Sequence, residues 1–145
     1  MIDLPNIFKD LAEANGFKFD YGTKAMLNLL RSNKTSTDIY FLLSSPLTWG
    51  EQQTEYSARP TVKGNFMLVV KSNLDNVIYR SKDQDEASTK YNKNVEPLLL
   101  KLQDFRTKLG FCSDFKVNYW KAIDGYNLLD TNTDGLIVDF ELILE

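Results

Sequence analysis

Residues 136–144 alternate: Leu136, Val138, Phe140, Leu142 and Leu144 are apolar, while Asp139 and Glu141 fall between them. A period of two places those five side chains on one face of a strand, whereas a helix would scatter them around its axis. The residues just before, Asp130-Thr131-Asn132-Thr133-Asp134-Gly135, are turn formers. The spacing predicts a closing hairpin, with Asp134-Gly135 in the turn and the glycine at positive φ. The same letters fit a second pattern. Asp130, Asn132, Asp134, Gly135 and Glu141 stand at the spacing of an EF-hand calcium loop, with Leu136 offering its carbonyl and Ile137 at the apolar eighth position. Three arguments favour the strand. An exiting helix built from residues 140–145 is too short to hold itself together. No second loop of this kind is present to pair with the first. On a strand rising about 3.3 Å per residue, Glu141 lies roughly 20 Å from Asp134 and closes no cage.

Composition then prunes the function classes. At 145 residues the chain is one ordinary domain, 1–145, long enough to bury a single core. With 17 basic against 20 acidic side chains the net charge is −3, which gives no reason to expect a nucleic-acid binder held by phosphate contacts. The chain has no histidine, so histidine-based triads and histidine-ligated zinc are excluded. Neither GxGxxG nor GxxxxGK[ST] occurs. The carboxylates Asp83, Asp85 and Glu86 stand among Lys82, Lys90 and Lys93 and read as a solvated, mobile segment rather than a catalytic pair. The single cysteine, Cys112, forms no internal disulfide and reads as a small core residue suited to a reducing cytoplasm. Apolar runs such as residues 66–70 are too short to span a bilayer, and Met1-Ile2-Asp3-Leu4-Pro5 lacks the basic start of a signal peptide. The expectation is no catalytic, cofactor-binding or metal-binding residues, no cofactor, no membrane partner and no enzymatic activity.

Leu4, Ile7, Phe8, Leu11 and Ala12 recur at helical spacing, with Asp3 as N-cap, Pro5 in the first turn and Asn15-Gly16 as the stop. Phe17, Phe19 and Tyr21 alternate in an extended link, and residues 24–31 read as a second helical stretch. Asp38-Ile39-Tyr40-Phe41-Leu42-Leu43 and a run ending at Val70 read as two strands. Between them, residues 44–57 read as a long hairpin loop or arm with Trp49 and Tyr56 as candidate anchors. Residues 74–79 fit either an edge strand or a helical turn. A central amphipathic helix starts at Asn94 as cap with Pro97 in its first turn. It buries Val95, Leu98, Leu99, Leu102, Phe105 and Leu109 and closes at Gly110. Beyond it Phe115, Val117 and Tyr119 alternate with Lys116, Asn118 and Trp120, and Tyr126 to Leu129 leads into the closing strand. Grouped rather than alternating elements predict α+β: a mostly antiparallel sheet of about four strands, covered by an N-terminal helical region and the central helix.

This layout resembles the tail-terminator, tail-completion and neck-ring proteins of tailed bacteriophages, and is similar to versions in phages and prophages of Bacteroidetes, including crAss-like phages. The residues that carry the likeness are Ile39-Tyr40-Phe41-Leu42-Leu43, Gly64-Asn65-Phe66-Met67-Leu68-Val69, Tyr91-Asn92-Lys93-Asn94-Val95-Glu96-Pro97-Leu98 and Asp134-Gly135-Leu136-Ile137-Val138-Asp139-Phe140-Glu141-Leu142. The resemblance implies a structural virion protein at the head-tail connector, neck or tail top, made in the bacterial host cytoplasm. It implies self-association into a ring of six or twelve copies and contact with portal, neck or tail proteins. Genomic DNA would pass through the channel without specific binding. The runner-up reading is a small binding or adaptor domain with a single calcium loop at 130–141.

Overall fold

The computed structural model describes residues 2–23, 38–53, 55–72, 91–112, 114–128 and 133–144. Helix α1 (Leu4–Ala14) starts where the Asp3 carboxylate accepts the Asn6 amide at 3.2 Å, and Pro5 sits in the first turn, where a missing donor costs nothing. It stops at Asn15, after which Gly16 takes φ +81°, a conformation that favours glycine. The strands are β1 (Lys18–Gly22), β2 (Ile39–Ser44), β3 (Thr48–Gln53), β4 (Ala58–Lys71), β5 (Phe115–Leu128) and β6 (Thr133–Leu144). A π-helical turn, Tyr91–Val95, leads into helix α2 (Glu96–Gly110).

All six strands form one mixed sheet in the order β1-β2-β4-β6-β5, with β3 also paired to β4. β1 runs parallel to β2 and every other pair is antiparallel. The fold is α+β, as expected, with six strands rather than four and one parallel pair. The extended link after α1 is β1, and half of the expected loop at 44–57 is β3. Both escape a periodicity reading for the same reason: all of β3 is exposed and β1 is half-buried, so neither shows clean apolar alternation. The expected helix at 24–31 and the segment at 74–90 lie outside the described residues.

β4 is the axis of the sheet. Its second half pairs with β2 (Leu43 opposite Phe66), its first half with β3 (Thr48 opposite Lys63), and its far side with β6 from Thr61 to Lys71. β2 and β3 therefore lie end to end along one flank of β4. Both helices cover the same sheet face, on a core of Leu4, Phe8, Phe41, Phe66, Leu68, Leu98, Leu102, Phe105, Leu136, Val138, Phe140 and Leu142, among others. On the opposite face Tyr40, Leu42, Met67 and Val69 form a smaller buried cluster, with Ile137 against it.

Four local expectations change. Gly135 is not in the turn: it lies inside β6, opposite Val69, and its φ is not positive. A Cβ there would run into the Leu68 carbonyl oxygen and come within 2.8 Å of Val69 Cα, so glycine is required by the close approach of β4. A β-bulge between Val117 and Tyr119 reverses the alternation of β5. Trp120 consequently turns inward, with its ring 5.6 Å from Phe66, while Tyr119 faces out. Asn94 is not a helix cap but part of the π-helical turn, and Val95 precedes α2 without a side-chain cap. Leu99 is 39% exposed rather than buried.

Phe8→Ala should cost about 3–5 kcal/mol in urea titration, because it removes a fully buried ring from the middle of the core. Phe111→Ala, at a position 83% exposed, should stay within about 0.5 kcal/mol.

Candidate interaction surface

β3 and the start of β4 project as a two-stranded arm. The last ladder position between β4 and β6 is Thr61 opposite Ile143, whereas Ala58, Arg59 and Pro60 pair only with Gln53, Gln52 and Glu51. Every residue of β3 is exposed. Trp49 retains 49% of its surface and Tyr56, beyond the strand, 91%. Both residues singled out in the sequence therefore stand open on the arm. Among the described residues nothing pairs with the outer edge of β3.

The joint that aims the arm lies between Leu43 and Thr48. Four residues on that side oppose only Gly64 and Asn65, and the Ser45–Pro46 peptide is cis. Leu47 folds over Gly64, where an added Cβ would lie 2.6 Å from Leu47 Cδ2 and 2.9 Å from Phe140 Cζ. Glycine lets the strand break close tightly onto the core.

The other end of the sheet is also open. β5 pairs with β6 on one side and, among the described residues, with nothing on the other. Lys116, Asn118, Tyr119, Lys121, Ala122, Ile123 and Asp124 are all exposed along it. On the helix-bearing face, a groove of about 340 Å³ separates β5 from the π-helical turn and α2, lined by Tyr91, Val95, Leu99, Ala122, Ile123, Asp124 and Leu136. Deeper along β5, the Arg106 guanidinium lies 5.8 Å from the centroid of Trp120.

Of the calcium-loop residues, the described Asp134 and Glu141 do not converge. Asp130 and Asn132 lie outside the described residues. Asp134 and Glu141 belong to one continuous strand, an odd number of residues apart, so their side chains point to opposite faces. Glu141 stands on the open face, where Lys63 Nζ lies 3.4 Å away and Asn118 Nδ2 donates at 3.4 Å. Asp134 is fully buried and accepts from Ser72 Oγ at 2.5 Å and Asn94 Nδ2 at 3.0 Å. Asn94 thus directs its side-chain amide to the buried Asp134 carboxylate from within the π-helical turn that precedes α2. The carboxylate fastens the end of β4 and the π-helical turn to β6. The alternation itself carried this signal, since Asp134 shares parity with Leu136 and Val138 and so had to be a buried charge needing partners.

Nearby, the Tyr126 phenol is pushed above its usual value, first by burial and then by its hydrogen bond to Asp124 at 2.7 Å and the negative charge of Asp124 and Asp134. It stays protonated through the neutral range. Cys112 is half-buried against the core. Among the described residues no cluster of three metal-ligating side chains occurs, and no helix is long and apolar enough to cross a membrane. No family model and no curated sequence matches the chain.

Asp134→Ala should lower stability by about 1–3 kcal/mol by stranding the Ser72 and Asn94 donors. Millimolar calcium should leave the melting temperature of the unaltered protein unchanged; a calcium-dependent rise abolished by Asp130→Ala would restore the metal-site reading.

Proposed function

We propose that the chain is a structural subunit of a bacteriophage virion, assembling as a ring at the head-tail connector, neck or tail top. The layout quoted from the sequence supports this reading, and one structural observation carries it. The arm of β3 and residues 58–60 leaves the body with an edge that nothing pairs with among the described residues, and with two exposed aromatic side chains. In a monomer such an edge invites strand pairing and aggregation unless a partner covers it. Strand addition between copies supplies that partner through main-chain hydrogen bonds, with Trp49 and Tyr56 as anchors. One patch meeting a different patch on the next copy, repeated about an axis, closes a ring. The net charge of −3 fits a channel wall over which DNA slides without being held. The role is scaffolding, with neighbouring portal, neck or tail proteins as further partners.

The arm is separable from the fold, which makes the reading testable. Replacing residues 51–60 with an Asn-Gly turn, combined with Trp49→Ala, removes both aromatic anchors and only β3–β4 pairs, and leaves the β4–β6 ladder whole. The shortened protein should keep its circular dichroism spectrum, while the rings formed by the unaltered protein should vanish from electron micrographs and native mass spectra. Rings of undiminished size from the shortened protein would refute the arm as the assembly element.

A further inference from the structure

We draw no further inference here: the strongest candidate, the largely apolar groove between the edge of β5, the π-helical turn and α2, carries nothing because nothing in the structure shows what covers it.

Discussion

Five phenylalanines from five elements hold the fold together: Phe8 of α1, Phe41 of β2, Phe66 of β4, Phe105 of α2 and Phe140 of β6. Phe8 stands edge-on to the other four, with centroid distances from 5.2 to 6.1 Å and interplanar angles near 70°. Phe41 and Phe66 stack face to face at 4.2 Å across the β2–β4 ladder. Edge-to-face contacts set a positive ring edge against a negative ring face, so the geometry is directional as well as apolar. The cluster fixes three choices together. It places both helices on one face, sets β2 against the second half of β4, and centres β6 on the far flank.

The knot sits on the second half of β4, and Val62 extends the same core toward its start, so only residues 58–60 are free to do something else. Gly64 marks the division. Above it, Phe66 and Leu68 are buried in the helix-covered core; at Gly64 itself Leu47 and Phe140 meet across the missing side chain. Below it the strand loses its β6 partner after Thr61 and continues only as half of the arm. The open face shows the same division. Met67 and Val69 belong to the small buried cluster, while Lys63, Asn65, Tyr119, Asp139 and Glu141 line a groove beside Pro46 and Phe140.

The sequence made legible whatever repeats with a clean period against one core face. β6 could be read from five alternating apolar positions, α2 from its leucine and phenylalanine stripe, and α1 from its cap and its stop. What escaped depends on single residues or on distant pairing. Trp120 was placed on the wrong face because one bulge at Asn118 shifts the parity of everything after it, and a lone inserted residue leaves no trace in an alternating string. Gly135 resembles turn glycine in sequence, yet its cause is the backbone of β4, more than sixty residues away. β3 carries no apolar alternation because both its faces meet solvent. The parallel β1–β2 pair depends on a connection whose path no local pattern encodes. At the interaction surface, Trp49 and Tyr56 were legible as large aromatics in a polar stretch. The β5 edge was not, since an edge is defined by what fails to lie beside it.

Stability and the proposed assembly therefore rest on different residues, and this has a physical consequence. The arm adds little to the core: its β3 residues are exposed, and the pairs formed by residues 58–60 are solvated hydrogen bonds of small net worth. The groove side of β5 is likewise peripheral to the phenylalanine knot. Substitutions at the exposed Trp49, Glu51, Lys121 or Ala122 thus change the surface with little change in how firmly the chain folds. Those at Phe8, Gly64 or Gly135 act in the opposite sense. An edge strand left long and aromatic in a folded monomer is a hazard that proteins ordinarily blunt with charge, proline or a covering element. Here β5 carries two lysines and a bulge, but β3 has only Glu51, and its proline, Pro60, lies on the inner strand of the arm.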